Sequence, residues 1–293
     1  NLGKQPNTVR IQGLALRNGA TDGDGGAIRA DCTAGVEILN CEFENNRAGG
    51  HGGALYRTDP GRAAAWLGVR QCVFKSNHAT GEQSWGGAIY SDCWSFVTKN
   101  LAYRNRAAHG AVMGGKSAVG NWAINMLMAY ANTGDFVLNR HSRIMEQRNL
   151  IGGEPRFRPD DGVSPFGGYG TVYSERMGGT AISLMCSAIS DNAAGGVRLV
   201  EPAHEPFSDN LQYFYGMLGC VSIISGNEGV GVYYDSGRSA NSTVIQRCNV
   251  WGNKGGDFAG EAAAGGGCIS ADPRYRDNDH ADLDQRDYRL AEG

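Results

Sequence analysis

Basic and aromatic side chains are concentrated in two stretches of this 293-residue chain, residues 134–174 and 198–219. Arginine forks suit carboxylate or sulfate groups, and aromatic faces suit sugar rings. The pattern therefore predicts a site for an acidic polysaccharide or a cell-surface glycan. The alternative is that the basic residues pair with nearby acids as surface salt bridges, while the rings only pack the loops down. The residues predicted to bind are Arg143, Arg148, Arg156, Tyr169, Tyr173, His204 and Tyr213.

Several residues in or near these stretches have side chains that can act on such a polymer. A glycosidase needs two carboxyl groups roughly 5 to 10 Å apart. A lyase needs a base and a group that neutralises a uronate carboxylate. None of the candidates lies in a motif specific to either reaction, so the catalytic residues stay unassigned. The candidates are Lys116, His141, Arg143, Asp160, Asp161, Glu205, Asp209 and Tyr213.

Metal ligands are present, but their spacing does not match a known site. The acidic turns at residues 22–25 and 277–282 offer carboxylates to calcium. Neither turn has the spacing of an EF-hand or of a calcium-binding nonapeptide repeat. His51, His78 and His109 lie at different distances from the asparagines described below, so they do not share a register. We therefore predict no cofactor and no metal site, with calcium at an acidic turn as the alternative.

A repeat supplies the elements that must position these residues. A strand-like run ends in asparagine, a polar link follows, and a glycine-rich strand start comes next. The strand starts are residues 25–28, 52–55, 86–89 and 109–112. The asparagines are Asn18, Asn46, Asn77, Asn105, Asn132, Asn192, Asn227 and Asn253.

The asparagine spacing indicates a solenoid. Successive spacings are 28, 31, 28, 27, 60, 35 and 26 residues, and a period in this range is typical of stacked coils. We interpret the spacing of 60 as two repeats, with Asn149 marking the weaker one. Asparagine tolerates a left-handed bend, and asparagines stacked at about 4.8 Å can hydrogen-bond along the stack. The residue three positions before each asparagine is apolar in every copy, from Ala15 to Val250, and is predicted to line the core.

The eight cysteines are spread along the chain with no Cys-x-x-Cys pair, which argues against zinc or thioredoxin-type chemistry. Disulfides of an exported protein and buried free thiols both fit this pattern. Cys41 and Cys72 each precede their asparagine by five residues and are expected to stack in adjacent coils. The strand spacing of about 4.8 Å lies within the Cα range of a disulfide, so a bond between them is one interpretation.

The repeat resembles that of chlamydial polymorphic outer-membrane proteins and related autotransporter-like surface proteins. Their FxxN motif followed by GGA[I/L/V] is matched by Phe43 with Asn46 and by Phe74 with Asn77. The third copy departs from this pattern, because Ala102 replaces the phenylalanine.

The C-terminal stretch carries a second resemblance. Residues 248–253, 271–275 and 287–290 are similar to the last coils of secreted β-helix proteins of the pectin-lyase-like superfamily. The two resemblances imply an all-β, right-handed parallel β-helix that is exported to the cell surface. They imply little about activity, because this fold hosts enzymes, adhesins and structural proteins alike.

Composition excludes several classes of protein. The 45 glycines come without a three-residue period, which excludes collagen, and 41% hydrophobic residues supply a core. The net charge of −3 gives no reason to expect nucleic acid as a partner. No apolar run approaches the roughly 20 residues of a membrane helix, so no membrane insertion is expected.

We predict one domain, residues 1–293, of about nine or ten coils, with loop insertions near 134–174 and 198–219. The ends look cut, so the chain is expected to be part of a longer protein. The predicted function is a non-catalytic extracellular protein: a surface adhesin, a structural subunit or a glycan-binding scaffold. Its expected partners are polysaccharide, cell-surface glycan or copies of itself. The alternative is a polysaccharide lyase or glycoside hydrolase that acts on an acidic polysaccharide.

Overall fold

Short runs of alternating inward and outward side chains build the fold, because successive residues of a strand point to opposite faces. The strand Trp66–Arg70, for example, buries Leu67 and Val69 and turns its other side chains outward. The computed structural model describes residues 7–58, 65–115, 122–125, 127–133, 137–140, 147–149, 172–174, 181–193, 195–200, 216–235, 244–282 and 286–291.

Three long sheets and one short sheet form the walls of the fold. Sheet A contains β1 (Thr8–Gln12), β5 (Gly35–Leu39), β9 (Trp66–Arg70), β13 (Trp94–Thr98), β16 (Trp122–Asn125), β21 (Ala181–Met185), β24 (Gly216–Cys220) and β27 (Val244–Gln246). Sheet B contains β2 (Ala15–Arg17), β6 (Glu42–Glu44), β10 (Val73–Lys75), β14 (Leu101–Tyr103), β17 (Met128–Tyr130), β22 (Ala188–Ser190), β25 (Ile223–Ser225) and β28 (Asn249–Trp251). Sheet C contains β3 (Ala20–Thr21), β7 (Arg47–Ala48) and β11 (His78–Ala79). Sheet D contains β4 (Ile28–Asp31), β8 (Leu55–Thr58), β12 (Ile89–Ser91), β15 (Met113–Gly115), β18 (Val137–Arg140), β23 (Val197–Val200), β26 (Val232–Asp235) and β29 (Phe258–Gly260).

The chain visits the three long sheets in the same order on every turn and passes through sheet C in the first three coils, and all pairs within these sheets are parallel. The all-β parallel β-helix is therefore confirmed. Each long sheet has eight strands in the described part of the chain, so the prediction of nine or ten coils is wrong in number. We number these coils one to eight from the N-terminus. No helix within the described residues has the length and hydropathy needed to cross a membrane.

The spacing of 60 residues accounts for the error in coil number. Asn132 and Asn192 are direct neighbours, because β17 pairs with β22 and the Nδ2 of Asn132 donates to the Oδ1 of Asn192 at 2.9 Å. The interval is therefore one coil with a long insertion. Asn149 lies on β19 (Gln147–Asn149), which pairs antiparallel with β20 (Val172–Ser174), so it marks no coil.

The predicted insertions begin later than expected. Residues 137–140 form β18 and residues 197–200 form β23, so both stretches are regular strands of sheet D. The insertions therefore follow Arg140 and Val200 rather than residues 134 and 198. Both leave the corner between sheets D and A, in coils five and six, which places their starting points next to each other.

A buried ladder of asparagines runs along the inside of the bend between sheets B and C. Each Nδ2 donates to the Oδ1 of the asparagine in the next coil, at distances of 2.7 to 3.1 Å. The same oxygen also accepts the backbone N–H of the preceding asparagine, as between Asn46 and Asn77 at 3.1 Å. A second Nδ2 bond goes back to a carbonyl of the preceding coil, as from Asn77 to Phe43 at 2.9 Å. The members are Asn46, Asn77, Asn105, Asn132, Asn192, Asn227 and Asn253.

Asn18 does not belong to the ladder, contrary to the prediction. The backbone N–H of Gly19 donates to the Oδ1 of Asn46 at 2.9 Å, so Gly19 holds the ladder position in the first coil. Asn18 lies one residue earlier, in a left-handed conformation with φ of 57°. The core residue of this coil is accordingly Leu16, which pairs with Phe43, and the prediction of Ala15 is wrong.

The other end of the ladder is closed by a carboxylate. Oδ1 of Asp257 accepts the backbone N–H of Asn253 at 3.3 Å and its Nδ2 at 2.9 Å. A carboxylate is a suitable last member because it only accepts hydrogen bonds. Unlike an asparagine amide, it adds no N–H donor that would need an acceptor in a further coil.

The bends themselves are made by the residue before each ladder position. Asn45, Ser76, Arg104 and Ala131 hold positive φ values of 59°, 55°, 56° and 51°. The prediction had assigned the left-handed bend to the ladder asparagines. The structure separates the two roles, because the bend residue supplies the backbone angle and the asparagine fills the inside of the turn.

The Gly-Gly-Ala starts form a second kind of bend. The first glycine is left-handed, with φ of 64° at Gly52 and 69° at Gly86. The second glycine lies against the next coil: a Cβ on Gly53 would be 2.0 Å from the carbonyl oxygen of Gly87. The alanine after it, Ala54, is fully buried in the core.

The C-terminal stretch departs from the coil pattern. We expected residues 271–275 and 287–290 to belong to a last coil, but β30 (Tyr275–Asp277) and β31 (Asp287–Leu290) form an antiparallel hairpin. The hairpin packs on the outer face of sheet B. The ring of Tyr288 stacks on Tyr130 at 4.5 Å, and its hydroxyl donates to Oδ2 of Asp191 at 2.8 Å. Burial is the main cause that raises the pKa of Tyr288.

Replacing Asn105 by alanine tests the ladder. The change removes the only Oδ1 that pairs with both the N–H and the Nδ2 of Asn77, and both donors are buried. We expect a loss of about 2–4 kcal/mol in the free energy of unfolding, since each unsatisfied buried donor costs about 1–3 kcal/mol. Urea unfolding followed by circular dichroism measures it.

The matched control is Asn18→Gly, at an exposed left-handed position outside the ladder. It is expected to change stability by less than about 0.5 kcal/mol. Equal effects of the two substitutions would contradict the special role of the ladder.

Candidate functional site

Most of the residues predicted to bind ligand lie outside the described part of the chain: Arg143, Arg156, Tyr169, His204 and Tyr213. Arg148 lies on β19 and Tyr173 on β20, so the antiparallel pairing brings these two strands together. The candidates for catalysis other than Arg143 and Tyr213 also lie outside the described residues: Lys116, His141, Asp160, Asp161, Glu205 and Asp209. An acidic-polysaccharide site at the insertions stays a prediction.

A different group of side chains converges at the corner that precedes sheet D. The residue immediately before each bend glycine occupies one column: Asp24, His51, Trp85 and His109. Backbone hydrogen bonds fix the register, since the N–H of Gly52 donates to the carbonyl of Trp85 at 2.9 Å. His51 and His109 therefore share a register that their distances from the asparagines did not reveal. His78 is separate and lies on sheet C.

Aromatic rings from this column stack on rings from the outer face of sheet D. We define the aromatic patch as His51, Tyr56, Trp85, Tyr90 and His109. Tyr56 and His51 both stack on Tyr90, with ring centroids 4.9 Å apart in each pair and interplanar angles of 11° and 14°. Trp85 meets His109 at 5.0 Å with a tilt of 46°. The patch is thus a rigid array of rings spread over coils two to four.

The backbone of the next coil selects the tautomer of the neutral His51 ring. The N–H of Trp85 donates to Nδ1 of His51 at 3.1 Å, so a neutral ring carries its proton on Nε2. Oδ1 of Asp24 accepts the backbone N–H of His51 at 2.7 Å. The bond to Nδ1 orients the ring, and the bond to Asp24 holds the backbone of His51.

Charged groups surround Tyr56. The guanidinium of Arg29 lies over its ring, 5.5 Å from the centroid, and is itself exposed. Burial raises the pKa of Tyr56, and the carboxylates of Asp24 and Asp92 raise it further. The hydroxyl therefore stays protonated at neutral pH and can donate a hydrogen bond. His51 and Tyr56 are half-buried, whereas Tyr90 and Trp85 are buried beneath them.

Acidic and histidine side chains do not gather into a metal site in the described part of the chain, where no group of three or more His, Cys, Asp or Glu is placed to hold an ion. At the predicted acidic turns the side chains have other partners. Asp24 accepts from His51, and Oδ1 of Asp282 lies 3.8 Å from the guanidinium of Arg104. Asn278 donates to Asp191 at 3.3 Å.

Cys41 and Cys72 stack in adjacent coils as predicted, but the structure contains no disulfide between them and both are free cysteines. They lie on the inner side of the bend between sheets A and B, where Asn100 takes the same position in coil four. The N–H of Cys72 donates to Oδ1 of Asn100 at 2.8 Å, and Sγ of Cys72 accepts the N–H of Cys41 at 3.4 Å. Sγ of Cys72 donates to the carbonyl of Arg70 at 3.2 Å. The thiols therefore act as small core groups that satisfy the backbone.

Comparison with known families supports the repeat. Residues 40–56 and 71–92 match the family model described as the Chlamydia polymorphic membrane protein repeat. Each matched segment contains one FxxN motif, and together they include His51, Tyr56, Trp85 and Tyr90 of the aromatic patch. The resemblance inferred from the motifs is confirmed for these two coils. No curated protein and no solved structure matches the chain.

Burial makes Cys72 a test of the core. It raises the pKa of Cys72 to about 12, so roughly one thiol in ten thousand is ionised at pH 8. We expect iodoacetamide to modify the exposed Cys186 in the native protein and to reach Cys72 only after unfolding. Peptide mass spectrometry of native and urea-treated samples measures both. Equal labelling of the two cysteines in the native protein would contradict the placement of Cys72.

Proposed function

We propose that this chain is a non-catalytic, cell-surface scaffold that binds glycan through the aromatic patch. The match to a membrane-protein repeat and the β-solenoid fit a surface protein. A solenoid presents a rigid, extended wall, and such walls are used as binding surfaces in repeat proteins. The chain would serve as an adhesive module of this kind, with glycan rather than a second copy of itself as its partner.

The observation that carries this proposal is the stack of His51 and Tyr56 on Tyr90. Aromatic side chains offer a large amphipathic surface and lose little conformational entropy on binding. Because Tyr90 fixes the two rings, that entropy has been lost on folding rather than on binding. Because the Tyr56 ring lies between Tyr90 and Arg29, the patch would meet the apolar side of a sugar with its ring edges and the hydroxyl rim with its polar groups.

Polar groups at the patch suit the hydroxyl rim. The Tyr56 hydroxyl is a donor, the Arg29 guanidinium supplies further donors, and the Asp24 carboxylate accepts. Apolar contact surface with a few convergent polar groups is the usual composition of a ligand site. The position of the patch on regular coils, away from the insertions, gives it fixed geometry.

Substitution of Tyr56 by alanine tests the proposal. The unmodified protein is first screened on an array of neutral, sialylated and sulfated oligosaccharides. For the glycans that it binds, we expect Tyr56→Ala to lower the affinity at least about tenfold, the size expected for a central aromatic contact. The matched control is Tyr233→Ala, because Tyr233 takes the same outward position of sheet D in coil seven. Circular dichroism checks that both variants keep the fold.

Two results would overturn the proposal. One is an equal loss in both variants, or no loss in Tyr56→Ala. The other is catalysis: release of unsaturated or reducing ends from an acidic polysaccharide would establish the lyase or hydrolase alternative, whose candidate residues lie outside the described part of the chain.

A further inference from the structure

The short sheet C carries a row of basic side chains. Arg47 of β7 pairs in register with His78 of β11, and a parallel backbone β-bridge joins His78 to Arg106 in the next coil. The residue after each of them is a buried alanine that points inward: Ala48, Ala79 and Ala107. Arg47 and Arg106 are exposed and His78 is half-buried. We call Arg47, His78 and Arg106 the basic row.

Other faces of the same coils interleave opposite charges at stacked positions. On sheet A, Arg10 lies 2.7 Å from Glu37 of the next coil. On sheet B, Glu44 lies between Arg17 and Lys75, at 3.2 Å from each. Opposite charges in neighbouring strands stabilise a sheet and like charges destabilise it. These two faces follow this rule, because their charged side chains pair with opposite charges of the neighbouring coil.

The basic row does not follow that rule. In the described part of the chain neither Arg47 nor Arg106 forms an ion pair or a side-chain hydrogen bond, so both guanidinium groups are free for a ligand. With strands about 4.8 Å apart, the two arginine positions are separated by about 10 Å along the solenoid axis. The outer neighbours in coils one and five, Ala20 and Thr133, are uncharged.

His78 experiences the positive field of its neighbours. Burial lowers its pKa, and the charges of Arg106 and Arg47, one on each adjacent coil, lower it further. No carboxylate contributes to the shift. The row therefore carries two arginine charges and a histidine whose protonation is opposed first by burial and then by those charges.

We infer that the basic row binds an acidic polysaccharide whose sulfate or carboxylate groups lie along the solenoid axis. Guanidinium groups bind such anions through paired N–H donors. This inference concerns a site on a different sheet from the aromatic patch, and it stands whether or not the patch binds sugar. A polysaccharide is favoured over nucleic acid because the row and its flanking residues, Ala20 and Thr133, contain no Phe, Tyr or Trp ring on which a base could stack.

The experiment measures binding of dextran sulfate, with unsulfated dextran as the matched neutral polymer, by biolayer interferometry at low salt. The test variant is the double substitution Arg47→Gln with Arg106→Gln. The control is Arg10→Gln with Arg17→Gln, which removes the same charge from arginines that are paired with glutamates. We expect the test variant to lose at least about tenfold in affinity and the control to lose little. Dextran is expected not to bind.

The pH dependence supplies a second readout. Because a bound sulfate favours the charged imidazolium, binding should raise the pKa of His78, and affinity should increase as pH falls from about 7.5 to about 5.5. Sulfate groups do not titrate in this range, so the change reports on the protein. His78→Gln should remove the increase and keep the arginine contribution.

Three outcomes would overturn the inference. They are an equal loss in the two double variants, loss of dextran sulfate binding in Tyr56→Ala instead, or binding of an oligothymidylate as tight as that of dextran sulfate. The last would assign the row to nucleic acid. Normal binding of array glycans by the Arg47/Arg106 variant keeps this test separate from that of the aromatic patch.

Discussion

The buried asparagine ladder is the interaction on which the rest of the structure depends. From Asn77 onward each ladder amide uses its oxygen twice, Asn46 accepts from the N–H of Gly19, and every ladder nitrogen donates at least twice. Such a fully satisfied network is compatible with burial, whereas an incomplete one is costly. The ladder also fixes the register, because a coil that shifts by one residue would move its amide out of the row. From Gly19 to Asp257, both ends have partners that complete it.

A fixed bend on one side leaves the opposite corner free to vary. The asparagine ladder and the glycine contact between coils define the cross-section of the solenoid, and neither involves the corner between sheets D and A. The long insertions after Arg140 and Val200 leave from that corner, and the strands on either side still pair in register. This arrangement separates a constant scaffold from variable segments. It also explains why a spacing of 60 residues leaves the ladder unbroken.

The sequence predicted the solenoid because the FxxN spacing has a simple geometry. Phe43 and Asn46 both point inward, with one outward residue and one left-handed residue between them, and the same holds for Phe74 and Asn77. The prediction failed where local chemistry did not require asparagine. In the first coil a backbone N–H is sufficient, so Gly19 replaces the side chain, and Asn18 was misplaced by one residue.

The candidate sites were harder to predict from the sequence. The links between the asparagine and the bend glycine differ in length, so His51 and His109 align only when counted back from Gly52 and Gly110. The hairpin that contains Tyr288 differs from the last coil that the resemblance to pectin-lyase-like proteins implies, because its two strands pair antiparallel. The lack of charge pairing across coils distinguishes the basic row from its neighbours. It was not visible in the sequence, because it depends on the register of strands about thirty residues apart.

Hydrogen exchange of the asparagine side chains, followed by nuclear magnetic resonance with selective ¹⁵N labelling, tests the central claim most directly. The account predicts that the NH₂ groups of the ladder, from Asn46 to Asn253, exchange only when the solenoid unfolds. The exposed Asn18 and Asn40 provide an internal reference for rapid exchange. If the ladder groups exchanged as fast as these two, the ladder would not be the buried interaction that sets the register of the coils.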